Sequence, residues 1–306
     1  MRALVTGAGG FVGGWLLAHL HEQGDEVVAV DHEVDVTDCS AVKKAVMEAS
    51  PDVIFHLAAL SHVGKSWEDP AAALKVNAVG TLFVLEAARA CPSVPRVVLV
   101  SSAEVYGVVA PEDLPVSESA PLQPVTPYAV SKVAAEYAGI QAYLAHGTPV
   151  IRVRPFNHVG PGQSASFAVA ALASRIVEAE VTGVQAIAVG NLSARRDLTD
   201  VRDVVRAYRL LAAHGSPGEV YNVCSGRDVS VEDVARRLIE MAGADLEMVV
   251  DPALVRPVDI PVLRGDPSRL REATGWEPMI TLDVTLHDVL ESWRQKLPAH
   301  GAGTGQ

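Results

Sequence analysis

Close to its start the chain carries Thr6-Gly7-Ala8-Gly9-Gly10-Phe11-Val12-Gly13, with the apolar run Ala3-Leu4-Val5 before it. Trp15, Leu16, Leu17 and Leu20 follow at helical spacing until Gly24. A strand, a glycine turn and a helix in that order constrain the fold more than any other feature. Gly7 permits the tight turn, Gly10 lets the backbone approach a pyrophosphate, and Gly13 lets the helix pack close to its sheet. The N–H groups of the helix's first turn then face the anion. Gly7, Gly9, Gly10, Phe11, Val12 and Gly13 are therefore expected to hold a dinucleotide.

The following residues keep a strand–helix rhythm. Glu26–Val30 reads as a strand ending in Asp31, and Asp38 caps a helix to about residue 50, where Pro51 breaks it. A strand at 53–57, a helix at about 71–90 and a strand at Arg96–Val100 come next, the last running into Ser101-Ser102. Thr126-Pro127 is a cap with proline at the first helical position, opening a helix to about residue 145. A strand at 149–153 completes an α/β pattern of the Rossmann type, a doubly wound parallel sheet covered on both faces. Beyond Arg154 proline and glycine cluster. Helices near 167–178, 201–213, 231–241 and 282–293, with short strands near 186–189 and 220–222, predict a smaller mixed C-terminal substrate lobe. The expected division gives residues 1–154 and parts of 186–225 to the dinucleotide domain. Residues 155–185 and 226–297 form the lobe, and 298–306 a loose tail.

At 306 residues the chain can bury a substantial core, and its formal charge of -12 argues against a nucleic-acid partner, which needs a basic face. No apolar run reaches the ~18 residues of a membrane span, and Met1-Arg2 leads straight into the first strand, leaving no signal peptide. Cys39, Cys91 and Cys224 are scattered and odd in number, which fits neither a disulfide framework nor a metal cluster. A cytoplasmic protein without a metal is expected.

Asp31 lies about twenty residues past the glycine loop, where an acid hydrogen-bonds the adenosine ribose hydroxyls. His32 and Glu33 follow it, and no lysine or arginine precedes Lys43. A 2′-phosphate would meet two carboxylates there, so NAD(H) is favoured, with NADP(H) possible. Tyr128 and Lys132 stand one turn apart on a helix and share a face. An ammonium beside a phenol favours the phenolate. Taken alone the pair is a weak signal. It gains force from Ser102, which ends the strand before it at the carboxyl edge of the same sheet.

With these residues assembled, the chain resembles the extended short-chain dehydrogenase/reductase family. The resemblance implies that Ser102, Tyr128 and Lys132 form the catalytic set: hydrogen-bond partner, acid/base, and ribose ligand that tunes the phenol. It also implies cofactor contacts at Asp35 and Val36 beside the adenine, and at Leu57, Ala58, Ala59, Ser61 and Val100. Asn77 would be a structural polar residue, and Pro155, Asn157 and His158 would lie near the nicotinamide. Several strings are similar to the nucleotide-sugar branch that acts on GDP-sugars, among them Ala58-Ala59-Leu60-Ser61-His62-Val63 and Arg154-Pro155-Phe156-Asn157-His158-Val159-Gly160-Pro161-Gly162. Gly190-Asn191-Leu192, Arg196-Asp197-Leu198-Thr199-Asp200 and Tyr221-Asn222-Val223-Cys224 belong with them. The branch implies sugar contacts at His62, Val63, Ser102, Ala103, Glu104, Asn157 and Val169, with Arg196 and Arg256 clamping the diphosphate.

Within that branch three reactions are open. Reduction of the C4 ketone of a GDP-4-keto-6-deoxy-hexose needs Tyr128 as proton donor. A GDP-mannose 4,6-dehydratase needs a carboxylate for the C5 proton, and Glu104 offers one. Ala103 and Ser102, however, depart from the dehydratase pattern, and the connection from Asp31 to Asp38 is shorter than in tetrameric dehydratases. Reduction is therefore preferred, then dehydration, then C4 epimerisation. A non-catalytic dinucleotide sensor is disfavoured because the tyrosine and lysine are both intact. The apolar faces of the helices at 71–90 and 128–145 are either core or, as in relatives, the four-helix interface of a homodimer.

Overall fold

The structure is a computed structural model and describes residues 1–255 and 260–296. In chain order the first half comprises β1 (Arg2–Thr6), α1 (Phe11–Glu22), β2 (Glu26–Val30), α2 (Cys39–Ala49) and β3 (Val53–His56). It continues through α3 (Val63–Glu68), α4 (Pro70–Leu74), α5 (Gly80–Arg89), β4 (Arg96–Val100), α6 (Pro127–His146) and β5 (Val150–Pro155). The second half contains β6 (Asn157–Val159), α7 (Ala168–Thr182), β7 (Ala186–Val189), β8 (Arg195–Asp200), α8 (Val201–His214) and β9 (Val220–Val223). It ends with β10 (Asp228–Ser230), α9 (Val231–Ala242), β11 (Glu247–Val250), β12 (Val262–Leu263), α10 (Ser268–Thr274) and α11 (Leu282–Lys296).

The main sheet is parallel throughout, in the order β2-β1-β3-β4-β5-β9. The chain steps from β1 outward to β2 and then back past β1 to β3. The end of β1 is therefore the topological switch point, the place where such sheets open a ligand crevice. Alternation along β1 builds the two layers. Ala3 and Val5 pack with Leu16 and Leu20 of α1 and Val204, Tyr208 and Leu211 of α8. Leu4, between them, packs on the other face with Val42 and Val46 of α2, Val84 and Leu85 of α5 and Ala142 of α6. Both faces are covered, as the near-continuous apolar strands require.

Most of the remaining elements form the smaller lobe, while α10 returns to the main sheet and packs through Leu270 on α8 and β9. Strand β8 carries β10 and β12 on its sides and pairs with β6, while β7 and β11 form a separate parallel pair. Helices α7, α9 and α11 enclose their own apolar core around Ile176, Leu238 and Leu286. Two sequence expectations need correction. The expected single helix at 71–90 is divided by a π-helical turn, Lys75–Val79. The same stretch, Pro70–Arg89, is also long and apolar enough by composition to span a membrane, contrary to the expectation that no run reaches that length. It packs against α2 and α6 in the sheet's outer layer.

Candidate active site

The glycine turn has the backbone its residues were expected to need. Gly7 sits at φ +70°, and a Cβ there would come within 2.7 Å of the Ala58 nitrogen, so the turn and the loop after β3 are in direct contact. On Gly13 a Cβ would press into the carbonyls of Gly7 and Ala8. Gly10 caps α1 with no side-chain hydrogen bond, and the first turn holds no acid, an arrangement able to receive an anion. Phe11, in that turn, stacks on His158 with ring centroids 6.3 Å apart and planes 8° from parallel. His158 Nδ1 lies 3.0 Å from the Phe156 carbonyl and donates to it, which leaves Nε2 as an acceptor; burial lowers the pKa of this ring.

At the corner expected to take the adenosine, Asp31 directly follows β2 with a partly exposed carboxylate. Its backbone N–H donates to Glu33 Oε1 at 2.8 Å, which brings a second carboxylate to the same corner. Asp35 is exposed and accepts from the Thr37 N–H at 2.8 Å. Val36 faces inward instead, buried against Gly80.

The catalytic candidates converge at the carboxyl edge of β4. Ser66 Oγ accepts from the Tyr128 N–H at 3.1 Å and Thr126 Oγ1 from the Ala129 N–H at 3.1 Å, so two hydroxyls fix the start of α6. Tyr128 and Lys132 are both buried, with Lys132 Nζ 6.0 Å from the centre of the phenol ring. Lys132 Nζ donates to the carbonyl of Val100 at 2.9 Å. Ser102 Oγ accepts from the Glu104 N–H at 3.2 Å and is hydrogen-bonded to Tyr128. Ala103 is buried under this turn. The electrostatics differ from the expectation of a phenolate favoured by lysine. Burial pushes the Tyr128 phenol up to about 12; the Ser102 hydrogen bond opposes this and the Glu104 carboxylate adds to it. Burial also brings the Lys132 ammonium down to about 8, opposed by Glu136. For both groups desolvation is the largest cause of the shift.

Asn77, inside the π-helical turn, is buried. Its Oδ1 accepts from the Leu60 N–H at 2.7 Å, and its Nδ2 donates to the Leu60 carbonyl at 3.1 Å and to Ser131 Oγ at 2.8 Å. Ser131 Oγ in turn donates to the Tyr128 carbonyl at 2.7 Å. Asn77 thus ties the loop of Leu57, Ala58, Ala59 and Ser61 to the Tyr128 turn. A related chain escaped the sequence reading. His56 Nδ1 pairs with Thr6 Oγ1 at 2.8 Å and Nε2 with Thr81 Oγ1 at 3.1 Å, while Thr81 donates to the Asn77 carbonyl at 2.6 Å. The one signal was a histidine and a threonine ending otherwise apolar strands.

The residues expected at the sugar are more dispersed. His62 caps α3, its Nδ1 accepting from the Lys65 N–H at 3.1 Å, with its ring 6.3 Å from that of Phe167. Val63 opens α3, and its carbonyl accepts from Ser66. Pro155 ends β5; Asn157 is exposed at the start of β6, paired with Leu198 of β8. Arg196 lies on β8 two residues before Leu198, and its Nη1 donates to the Ile260 carbonyl at 2.6 Å. Val169 is buried at the start of α7 and packs into the lobe core. Arg256 and the tail at 298–306 lie outside the described residues.

A hydroxyl, a phenol and an ammonium at the carboxyl edge of a parallel sheet that opens with a glycine turn define the class, a short-chain dehydrogenase/reductase of the extended type. Comparison with known proteins gives the branch. The family model described as GDP-mannose 4,6 dehydratase matches residues 31–289, and the chain belongs to that nucleotide-sugar family. It is 38% identical to the GDP-6-deoxy-D-mannose reductase of Pseudomonas aeruginosa, over 97% of this chain and 98% of that one. It is 33% identical to the UDP-glucose 4-epimerase of Mycolicibacterium smegmatis, over 97% and 99%. Among solved structures, RMD from Pseudomonas aeruginosa complexed with NADPH superposes with a TM-score of 0.90 at 36% identity, covering 97% of this chain and 100% of that one.

Proposed function

We propose that the protein reduces the C4 ketone of GDP-4-dehydro-6-deoxy-D-mannose to give GDP-D-rhamnose, using a reduced nicotinamide dinucleotide. The reductase relative matches across almost its whole length, which supports the substrate class. The observation that carries the reading is the convergence of buried Tyr128 and Lys132 on one face of α6 with Ser102 just beyond the end of β4. Burial raises the phenol to about 12, which leaves Tyr128 the proton that reduction requires it to donate to the forming alkoxide.

The residues fit the cofactor. The uncapped start of α1 and the positive φ of Gly7 suit a pyrophosphate, and Asp31 suits a ribose diol. When bound, the reduced nicotinamide supplies the hydride. The chain's own groups do the rest. Ser102 orients the ketone oxygen, Tyr128 delivers a proton to it, and Lys132 holds the ribose and the local positive charge. Burial strengthens each contact by excluding water. The carboxylates of Asp31 and Glu33 support a preference for NADH. Arg196 is a candidate for the diphosphate, and the exposed apolar faces of α5 and α6 support a homodimer.

Glu104 keeps a second reading in view, since its carboxylate lies close enough to raise the Tyr128 pKa and is the base a 4,6-dehydratase would use. The test gives purified protein GDP-mannose alone, then the 4-keto-6-deoxy sugar with NADH or NADPH. Consumption of reduced cofactor with the keto sugar is the expected result. Keto sugar formed from GDP-mannose without added reductant would replace the reductase reading with the dehydratase one.

A further inference from the structure

Beneath the site lies a carboxylate that the proposed chemistry does not use. Glu136 is one turn beyond Lys132 on the same face of α6 and is fully buried. Its Oε1 accepts from the Ser101 hydroxyl at 2.6 Å and from Arg154 Nε at 2.9 Å. Its Oε2 accepts from Arg154 Nη2 at 2.7 Å, and Arg152 Nη1 stands 3.7 Å away. Arg154 Nη1 donates onward to the Tyr106 hydroxyl at 3.0 Å and the Glu118 carbonyl at 3.2 Å, and Tyr106 donates to Asn222 Oδ1 at 2.6 Å. A buried ion pair of this kind adds little stability over apolar packing of the same volume, so stability alone does not account for it. What it joins does. Ser101 immediately precedes Ser102 at the end of β4. Arg154 precedes Pro155-Phe156-Asn157 at the end of β5.

We propose that Glu136 is a positioning residue: one carboxylate that fixes the ends of β4 and β5 against the Lys132 turn of α6. The inference rests on the reductase reading for its kinetic consequences. Without the carboxylate, Arg152, Arg154 and Lys132 would share a poorly hydrated region with less compensation, and of these only lysine sheds its proton readily. The other charged or titratable groups acting on this cluster are His56 on β3, Tyr128 on α6, Glu104 and Tyr106 on the turn after β4, Glu118, and, beside Arg152, Glu219 and Arg269. His56 is neutral near pH 7, since burial and Lys132 bring it down to about 3, so it does not replace the lost charge.

The experiment compares wild type with Glu136→Gln, Glu136→Asp and Ser101→Ala. The pH profile of kcat/KM for ketone reduction is measured, and the Lys132 ammonium is titrated by NMR of isotope-labelled lysine, which needs no turnover. Glu136→Gln is expected to move the alkaline limb and the Lys132 titration down by about one pH unit. Glu136→Asp should keep the wild-type limb while kcat falls about tenfold, because the shortened side chain misplaces its partners. Ser101→Ala should lower kcat severalfold, about threefold or more, with no shift in the limb. An unshifted Lys132 titration in Glu136→Gln, or a wild-type kcat in Ser101→Ala, overturns the proposal. If Glu136→Gln does not fold, the Ser101→Ala and Glu136→Asp results decide it. A wild-type protein that reduces no keto sugar would sink the reductase reading, while the titration would still test Glu136.

Discussion

A methyl group on Gly9 would run into the carboxylate of Asp31, so the glycine turn and the acid directly after β2 are in direct contact. The turn thereby fixes the acid at the adenosine corner, next to the Glu33 carboxylate that accepts from the Asp31 N–H. Two negative groups there disfavour a 2′-phosphate by like-charge repulsion. Asp31→Ser should therefore shift the NADPH/NADH ratio of kcat/KM upward by about tenfold or more, equivalent to about 1.4 kcal/mol. Steady-state kinetics with both cofactors checks it. A ratio unchanged in the variant would remove Asp31 from cofactor choice.

The proton donor gives a second expectation. Tyr128→Phe removes the phenolic proton but leaves the glycine turn and Lys132 in place. Its kcat for ketone reduction should fall by about 10²–10⁴. NADH affinity, read by fluorescence quenching, should stay within about threefold of wild type, because the proposed seat of the phosphates, the start of α1, is untouched. Wild-type activity should also fall as pH rises above about 8, where Lys132 loses its charge, while the phenol itself stays protonated. A Tyr128→Phe enzyme with most of its activity would place the acid elsewhere.

Much of this arrangement was legible because its signals are local. The apolar run, glycine turn and helical spacing at 3–20 specify β1 and α1. Thr126 and Pro127 mark the start of α6 through its capping chemistry. Strand β8 was not legible. Its residues, Arg195-Arg196-Asp197-Leu198-Thr199-Asp200, lack apolar alternation, and tertiary partners hold it instead. Buried Asp197 accepts from the Ser225 N–H at 2.8 Å, the Ser225 hydroxyl at 2.6 Å and the Gly226 N–H at 2.9 Å. The electrostatic state of Tyr128 and Lys132 was hidden for a related reason. Spacing shows that two side chains share a face, but not how much water that face excludes. Val36 is buried against Gly80 of α5, a tertiary contact that no short motif records.

His56 links the site to acid stability. Its folded pKa lies near 3, below the ordinary value of 6.5, because burial and then Lys132 disfavour the imidazolium. Between these values the unfolded chain binds the proton and the folded chain does not. The neutral ring's contribution is thus fully present above about pH 6.5 and is lost as pH falls toward 3. From pH 7.5 to pH 5 the loss should be about 2 kcal/mol. Urea unfolding of wild type against His56→Gln at both pH values isolates it, since other groups cancel. An equal acid loss in both proteins would show that His56 titrates normally in the fold.

The outer face of α6 makes the last prediction. Val130, Tyr137 and Leu144 are exposed at seven-residue intervals, with Leu144 at 75% of full exposure. That spacing aligns them along one side of the helix, away from the face that carries Lys132 and Glu136. Leu82 of α5 is also exposed. Exposed apolar side chains aligned along one helix face suit a self-associating surface, and two such helices meeting their copies would make a four-helix contact. Sedimentation of the wild type should give twice the mass of one chain. Tyr137→Glu with Leu144→Glu buries two charges in that contact and should give a single-chain mass with unchanged helical circular dichroism. Loss of the dimer should leave α6 less braced, lowering the midpoint of thermal unfolding by several degrees (roughly 3 °C or more) through mass action. A wild-type protein already at single-chain mass, or a doubly charged variant still at twice that mass, would mean that this stripe is not the interface.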